Sequence, residues 1–279
     1  MRLNVKNKKK IVKLIKITCV VVLFICFFWY ENHHLTVTTY TYQSEKTDAD
    51  LNGYRIVQIS DLHNAEFGHD NRKLLKKISE LEPDIIVITG DIVDSNHTDI
   101  KTSISFVKQA VLISDVYYVT GNHEYWLTKD EQAELFNGIE QTGAVILNNE
   151  CVDISVGKSG FCLIGLDDNS LSNGTLDHLI SEIDDDKLSV VLAHEPQYLS
   201  KYASAGCDLV LTGHAHGGQF ILPFVGAIVA PDQGFFPEYT SGEHQEKDTT
   251  MYISRGLGNS IIPVRLFNDP EIVCVDLQE

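Results

Sequence analysis

The sequence predicts an α/β fold in which two sheets are stacked and helices cover their outer faces. From Leu51 onward, short apolar runs with β-branched residues alternate with amphipathic segments, the pattern of buried strands connected by helices. The amphipathic segments are residues 73–81, 100–112, 130–142 and 175–183. Later segments favour strands, including a hairpin over 151–165 and a Gly/Pro/aromatic region over 217–249 without helical periodicity. Alternating elements followed by strand-rich ones indicate two packed sheets.

Five of the apolar runs end in residue types that bind metal ions. The run RIVQIS leads into Asp61 and His63, DIIVIT into Asp91, VYYVT into Asn122 and His123, SVVLA into His194, and DLVLT into His214 and His216. In open α/β sheets, sites form beyond the carboxyl ends of the strands. We therefore expect these side chains to gather at one edge of one sheet, with the composition of a two-metal hydrolytic site.

Each motif also has a purely structural interpretation. An Asp that follows a strand is commonly a turn residue or a helix cap, so Asp61 and Asp91 carry little weight alone. In a metal site, the spacing of two would let Asp61 and His63 converge on one cation, and the Asp91 carboxylate could bridge two. The Gly-Asn-His-Glu loop is equally compatible with a polar turn. The Gly-His-Ala-His motif is the most specific, since imidazoles two residues apart can address two neighbouring metals.

The N-terminal segment predicts a transmembrane helix. Residues 1–10 form a basic head, and the apolar stretch 11–30 is about 20 residues long, enough to cross a hydrocarbon core of roughly 30 Å. The tryptophan and tyrosine at its end lie where an aromatic belt belongs. Because basic flanks stay on the cytoplasmic side, we expect a single-pass cell-membrane protein whose remaining chain is extracytoplasmic. A cleaved signal peptide is the alternative, although no small-x-small site follows.

Charge and cysteine content exclude some functions. Seven of the 22 basic residues lie in 1–16, which contains no acid, so the remaining chain has 15 basic and 39 acidic residues and a net charge of −24. Such a body repels phosphate backbones, and we expect no nucleic-acid partner or substrate. The six cysteines predict no disulfide framework. Cys151 and Cys162 flank a hairpin turn at 157–160, where direct pairing would place Ser155 opposite Cys162.

The order and context of the five motifs resemble those of the calcineurin-like metallophosphoesterase superfamily, whose pattern is DxH, GD, GNH(E/D), a lone H and GHxH. The match extends from Tyr54 to Leu277. The segments GHAHGGQ, IVAPDQG and SRGLGNSIIPVRLFNDPEI are similar to the membrane-anchored or exported bacterial branch. The resemblance implies a four-layer α/β/β/α sandwich over 51–279, preceded by a juxtamembrane segment or edge strand over 31–50 and by one N-terminal transmembrane helix.

The resemblance also implies a role for each strand-end residue. Asp61, His63 and His216 would hold one divalent metal, Asn122, His194 and His214 the other, and Asp91 would bridge the two. His123 would lie beside the site without binding metal. Oxygen and nitrogen ligands without thiolates suit Mn, Fe or Zn.

The implied reaction is the hydrolysis of a phosphodiester or phosphate anhydride through in-line attack by a metal-bridging hydroxide. His123 would donate a proton to the leaving oxygen as general acid. Asp94 and Glu124 are candidate orienting residues, with turn stabilisation as the alternative. Arg255 and Arg265 are candidate phosphate contacts, with surface ion pairs as the alternative.

The substrate remains open at this level. A lipid-linked or envelope-associated phosphate ester suits an enzyme tethered at the membrane. A nucleotide-lipid pyrophosphatase of the UDP-2,3-diacylglucosamine type is the alternative, and a non-catalytic, metal-stabilised binding module is an alternative of another class. Aromatic residues in the Gly/Pro-rich region form either a lipid-facing rim or the packing of that region on its own domain; they are Phe220, Phe224, Phe235, Phe236 and Tyr239.

Overall fold

A computed structural model describes residues 5–168, 171, 174–259 and 264–279. Residues 1–4 of the predicted basic head and residues 260–263 of the motif SRGLGNSIIPVRLFNDPEI lie outside the described residues. The helices in chain order are α1 (Val5–His33), α2 (Arg72–Glu80), α3 (Ile100–Ala110), α4 (Asn122–Trp126), α5 (Lys129–Glu140), α6 (Thr175–Ser181) and α7 (Leu199–Ala205). Short 3-10 helices lie at His69–Asn71, Pro196–Tyr198 and His216–Gly218.

The strands form two six-stranded sheets and two short hairpins. In chain order they are β1 (Thr36–Gln43), β2 (Arg55–Ile59), β3 (Ile85–Thr89), β4 (Asp115–Val119), β5 (Val145–Ile146), β6 (Glu150–Val156), β7 (Ser159–Gly165), β8 (Leu188–Leu192), β9 (Leu209–Thr212), β10 (Ile221–Leu222), β11 (Gly226–Ala227), β12 (Val229–Ala230), β13 (Gly234–Phe235), β14 (Gly242–Glu246), β15 (Thr249–Ile253) and β16 (Glu271–Gln278). The first sheet has the order β1-β16-β2-β3-β4-β5 and the second β14-β15-β9-β8-β7-β6.

Both sheets have a parallel centre. Strands β2 to β5 are parallel in the first sheet, and β7, β8, β9 and β15 are parallel in the second. Strands β16 and β14 pair antiparallel with β2 and β15, and β6 pairs antiparallel with β7. The central strands are apolar and buried over nearly their whole length, as parallel strands covered on both faces must be.

Three apolar clusters define four layers. One cluster packs α2, α3 and α5 against the first sheet, a second fills the space between the two sheets, and a third packs α6 and α7 against the second sheet. Buried Gln58 of β2 links the sheets, because its side-chain amide donates to Thr89 Oγ1 and to the Thr212 carbonyl, both at 2.8 Å. The predicted α/β/β/α sandwich is confirmed.

The amphipathic periodicity located the helices closely. Helices α2, α3, α5 and α6 begin within one residue of the predicted starts and end one or two residues before the predicted ends. The helices end earlier because their last residues form tighter turns; the amide of Leu112, for example, donates to the Gln109 carbonyl.

Helix α1 contains the segment Lys9–His33, 25 residues long with a mean hydropathy of 2.6, which is long and apolar enough to cross a membrane. The helix end meets the sandwich directly. The Asn32 side-chain oxygen accepts a hydrogen bond from Asn259 Nδ2 at 2.8 Å, and His34 Nδ1 lies 3.0 Å from Asp269 Oδ2. Strand β1 then begins at Thr36 and forms the edge of the first sheet.

The β6–β7 hairpin differs from its expected register. Val156 pairs with Ser159 and Asp153 with Cys162, because the turn consists of two residues, not the expected four. Cys151 and Cys162 therefore occupy diagonal positions on one face, with a Cα–Cα distance of 6.1 Å, and form a disulfide. The expectation that Ser155 opposes Cys162 was wrong.

Candidate metal centre

The strand-end side chains come from both sheets. Loops after β2, β3 and β4 carry Asp61, His63, Asp91, Asn122 and His123, whereas loops after β8 and β9 carry His194, His214 and His216. The expectation of one edge of one sheet was therefore wrong. The two sheets stack with their carboxyl-terminal edges side by side, and the residues meet between them. All eight side chains except that of Asn122 are almost fully buried.

Asp61, His63 and His216 form a first cluster. Nε2 of His63 lies 3.1 Å from Nε2 of His216, and Nε2 of His216 lies 3.5 Å from Oδ1 of Asp61. Their ligand atoms all lie within 4.8 Å of one another. Around a tetrahedral metal with bonds of about 2.0–2.1 Å, adjacent ligand atoms lie about 3.3 Å apart. The spacing of the described atoms therefore fits one cation.

His194, His214 and Asn122 form a second cluster. Nε2 of His194 lies 3.1 Å from Oδ1 of Asn122 and 3.1 Å from Nδ1 of His214. Imidazole nitrogens and amide oxygens at this spacing again fit one cation.

Asp91 lies between the clusters. Its Oδ2 is 3.6 Å from Nε2 of His63 in the first cluster and 3.2 Å from Nε2 of His194 in the second. Its Oδ1 accepts a hydrogen bond from the backbone amide of His123 at 2.8 Å. One carboxylate oxygen is thus shared by both clusters, which is the geometry that a bridging ligand requires.

The electrostatics of the rings suit cation binding. Burial lowers the pKa of His63 to about 3, and burial together with Arg265 lowers the pKa of His216 well below its usual value. Both rings are therefore neutral and offer lone pairs. His194 differs: burial lowers its pKa, but the Asp91 carboxylate raises it well above the ordinary value. A cation in the second cluster would therefore compete with a proton for Nε2 of His194.

Hydrogen bonds to the remote ring nitrogens set the tautomers in the second cluster. Nδ1 of His194 lies 2.7 Å from the Thr89 carbonyl oxygen, so it carries the proton and leaves Nε2 as a ligand. Nε2 of His214 lies 2.9 Å from Oδ2 of Asp232, which leaves Nδ1 for the cation. No local sequence pattern predicts this role for Asp232. The signal available was its place in the segment IVAPDQG, which carried the resemblance.

Glu124 is a buried clamp for two loops. Its Oε2 accepts hydrogen bonds from the amides of Asp91 at 2.9 Å and Gly121 at 2.7 Å, and its Oε1 accepts from Ile92 at 3.0 Å and Val93 at 3.4 Å. Burial raises the pKa of Glu124 and the Asp91 carboxylate raises it further, whereas the Gly121 and Asp91 amides lower it. Glu124 therefore positions Asp91 through the backbone.

His123 lies at the side of the first cluster. Its ring centroid is 4.5 Å from that of His63, and a ring nitrogen lies within 4.8 Å of ligand atoms of His63 and Asp91. Nδ1 accepts a hydrogen bond from the Ser95 amide at 3.1 Å, and Asp94 Oδ1 lies 3.5 Å from the same atom.

The two arginines lie outside the cluster. Arg265 is fully buried, and its guanidinium donates to the backbone carbonyls of Arg255 and Gly258. Burial lowers its pKa to about 10. The Arg255 guanidinium contacts Glu271 Oε1 at 3.0 Å and Thr36 Oγ1 at 3.1 Å. Neither arrangement directs a guanidinium toward the metal-binding residues, so the geometry gives no support to a phosphate contact.

Arg265 instead holds a loop that supports the first cluster. The loop contacts the Asp61 backbone, since the Gly258 amide donates to the Asp61 carbonyl at 2.7 Å. Asn268, at the end of the same loop, donates from Nδ2 to the His216 carbonyl at 2.7 Å.

Gly90 permits the close approach of the two sheets. Its φ is +92°, and a Cβ added to it would lie 2.6 Å from His194 Nδ1 and 2.7 Å from the Gly121 nitrogen. Any larger residue would separate the loops that carry Asp91 and His194.

Comparisons with known proteins agree with this geometry. The family model for calcineurin-like phosphoesterases matches residues 54–218. The metallophosphoesterase YkuE of Bacillus subtilis (strain 168) is 31% identical over 255 residues, covering 89% of this chain and 87% of the relative. A transmembrane protein with a metallophosphoesterase domain from Bos taurus is 30% identical over 87% of this chain, which spans 57% of that relative's length.

The chain therefore belongs to the calcineurin-like phosphoesterase family. It is a metal-binding phosphoester hydrolase whose N-terminal helix is long and apolar enough to cross a membrane. Among solved structures, a 5'-nucleotidase precursor from Thermus thermophilus shares the fold, with a TM-score of 0.50 and 14% identity over 73% of this chain and 49% of that one.

Proposed function

We propose that this protein hydrolyses a phosphodiester or phosphate anhydride by in-line displacement at phosphorus, at a site where Asp91 and the residues of the two clusters would hold two divalent cations. The position of Asp91 Oδ2 between the two clusters, 3.6 Å from His63 and 3.2 Å from His194, carries the proposal. Asp61, His63 and His216 hold the first cation; Asn122, His194 and His214 hold the second. When bound, such a pair stabilises charge on phosphate and supplies hydroxide near neutral pH; Mn, Fe and Zn all suit the donors.

His123 donates a proton to the leaving oxygen. This role requires the protonated ring, in which Nδ1 must donate and not accept. The proton on Nδ1 would point to Asp94 Oδ1, 3.5 Å away, and the Ser95 amide would no longer donate to Nδ1. The proton that goes to the leaving oxygen would be the one on the other ring nitrogen, Nε2. Asp94 would thus orient the His123 ring, while Glu124 fixes the loop that carries Asp91.

A leaving-group test isolates the acid role. General acid catalysis contributes about 10²–10⁴-fold when the leaving group is poor, and little when it leaves without a proton. In the full-length protein loaded with Mn, His123→Ala should slow cleavage of a glycerophosphodiester, with its alkoxide leaving group, far more than cleavage of bis(p-nitrophenyl) phosphate. His178→Ala, at an exposed histidine of α6, is the matched control. Equal losses on both substrates would assign His123 to phosphate binding instead.

The substrate class follows from the anchor. Because α1 tethers the sandwich at a bilayer, we propose a lipid-linked or envelope-associated phosphate ester. Assays on a diester, a monoester and a nucleotide-diphosphate lipid of the UDP-diacylglucosamine type distinguish the candidates by relative kcat/KM. A preference for the soluble monoester would refute this substrate class.

We also propose that the sandwich is extracytoplasmic. The basic residues before the apolar stretch favour a cytoplasmic N-terminus. The Cys151–Cys162 disulfide supports the same orientation, because disulfides persist in oxidising compartments. Protease added to intact cells, with the outer envelope opened where one exists, should digest the sandwich. Digestion that requires lysis of the membrane would reverse the orientation.

A further inference from the structure

The segment after the Gly-His-Ala-His motif presents large apolar side chains to solvent. Within this segment, Phe224 is fully exposed, and Phe235 and Phe236 are exposed by 79% and 69%. Phe267, in the later loop that precedes β16, is 52% exposed. We call these four residues the aromatic surface. Of the other aromatic residues in this segment, Tyr239 packs against the second sheet's outer cluster and Phe220 is half-buried. Four exposed phenylalanines exceed what scattered surface apolar residues explain, and they indicate a binding surface.

The aromatic surface is attached to the end of α1. The ring of Phe267 packs edge-to-face on Phe27 of α1 with centroids 5.9 Å apart, and its backbone amide donates to the buried Glu31 carboxylate. The Arg265 amide donates to Asn32 Oδ1 at 3.3 Å. The loop containing Phe267 therefore has a fixed position relative to the membrane helix.

Backbone hydrogen bonds extend this connection to the remaining phenylalanines. The Ile221 amide donates to the Leu266 carbonyl at 3.0 Å, and the Leu266 amide donates to the Gln219 carbonyl at 3.2 Å. These bonds hold the β10–β11 hairpin, with Phe224 at its turn, beside the loop of Phe267. The Ile228 amide donates to the Phe220 carbonyl at 3.2 Å, and the Phe236 amide donates to the Ile228 carbonyl at 2.9 Å. These two bonds connect the β12–β13 hairpin to the β10–β11 hairpin.

The level of this surface along α1 coincides with a membrane interface. Tyr30 and Trp29 are exposed on α1 and mark the aromatic belt expected at the headgroups. Phe27 lies three residues before Tyr30, about 4.5 Å deeper at the helical rise of about 1.5 Å per residue. Phe267, in contact with Phe27, thus lies at the boundary between headgroups and acyl chains.

The charge of the segment favours apolar insertion over electrostatic attraction. Residues 217–239 contain Asp232 and Glu238 but no lysine or arginine. Asp232 is directed at His214 in the metal centre, three residues before Phe235. The same hairpin therefore joins the metal centre to the aromatic surface.

We propose that the aromatic surface inserts into the bilayer that holds α1, so that the metal centre opens toward the lipid headgroups. The occupant is lipid because the surface is continuous with a helix that lies in the bilayer. The inference rests on the membrane placement of α1 and is independent of the reaction proposed above.

Photo-crosslinking of the full-length protein tests the proposal. Benzoylphenylalanine replaces Phe224, Phe235 or, as a matched control, Leu112 in separate proteins reconstituted into phosphatidylcholine vesicles. Leu112 is 83% exposed but lies just before β4, at the opposite edge of the first sheet from the metal centre. After irradiation, mass spectrometry measures phospholipid adducts. Bound metal per chain confirms that each protein is folded.

The expected result is at least ten times more phospholipid adduct at Phe224 and Phe235 than at Leu112. Equal yields at the three positions would overturn the proposal. Adducts from Phe224 or Phe235 to a second protein chain, in place of lipid, would also overturn it and identify the surface as a contact between copies. Because no turnover is measured, a failure here is distinguishable from a failure of the proposed reaction.

Discussion

The two sheets hold their metal-binding residues in different ways. In the first-sheet half, which comprises the loops after β2, β3 and β4, the Glu124 carboxylate binds four backbone amides and joins the Asp91 loop to the Gly121 loop. In the second-sheet half, which comprises the loops after β8 and β9, support comes from the late chain. Asn268 holds the His216 backbone, and Asp232 contacts the His214 ring. The Asp91 and Gly121 loops are thus braced by a residue of their own half, whereas the loop of His214 and His216 is braced by residues of the late chain.

This difference predicts how the loss of one residue affects metal binding in the rest of the site. The first half contains the Asp91 oxygen that lies between the two clusters, so we expect its loss to affect both proposed cations. The second half is supported one residue at a time, so each loss there should affect one cation and leave the other.

Removing the bridge should have the largest effect. Asp91→Asn keeps the shape of the side chain but removes the charge that two cations share. Losing several kcal/mol of charge stabilisation corresponds to a fall of about 10³-fold or more in kcat/KM. Cleavage of bis(p-nitrophenyl) phosphate and metal content per chain measure the effect. A rate within tenfold of wild type would show that Asp91 is not shared.

Removing the internal brace should be the next largest effect. Glu124→Ala leaves buried amides without an acceptor, at a cost on the order of 3 kcal/mol in the free energy of unfolding. Denaturant titration measures this cost, and metal content should fall at both sites. Glu131→Ala, at an exposed cap of α5, is the matched control and should change the free energy of unfolding far less. Loss of one cation alone would contradict the internal-brace account.

Removing an external support should affect one cation. Asn268→Ala frees the His216 carbonyl and should weaken binding of the first cation about 10–100-fold, with the second unchanged. Competition with a chelator, followed by metal analysis, resolves the two sites. Asn148→Ala, at an exposed asparagine, should change neither. Equal weakening of cation binding at both sites would contradict the proposed difference between the two halves.

The smallest effect is expected at Asp232. Asp232→Asn keeps an oxygen acceptor for His214 Nε2 but removes its charge, and should weaken the second cation about tenfold. The same chelator competition measures it, with Asp185→Asn as an exposed control. A larger effect than that of Asn268→Ala would mean that Asp232 is itself a ligand.

The sequence predicted those parts of the site that depend on local order. Each candidate ligand lies within four residues of the end of a buried strand, so apolar runs such as RIVQIS pointed to Asp61 and His63 without knowledge of the tertiary fold. Strand pairing is not local, and this is why the division of the ligands between two sheets could not be foreseen. Glu124 was a candidate orienting residue from its place in the Gly-Asn-His-Glu loop, but the backbone amides that it binds have no sequence signature.

The roles of Arg265 and Asp232 and the β6–β7 register were not predicted from the sequence. Arginine is rarely fully buried, so the sequence favoured a phosphate contact or a surface ion pair for Arg265, which is instead an internal support. Asp232 lies 18 residues after His214 in a region without periodicity, where nothing local connects it to the site. The β6–β7 register depended on a two-residue turn that the Gly-Lys-Ser-Gly sequence did not distinguish from a four-residue one.

Anomalous diffraction from Mn-loaded crystals of the full-length protein tests the shared-oxygen geometry most directly. The account predicts two peaks about 3.5–4 Å apart, both contacting one oxygen of Asp91, with Asp61, His63 and His216 around one and Asn122, His194 and His214 around the other. A single peak, or two peaks of which only one contacts Asp91, would contradict it.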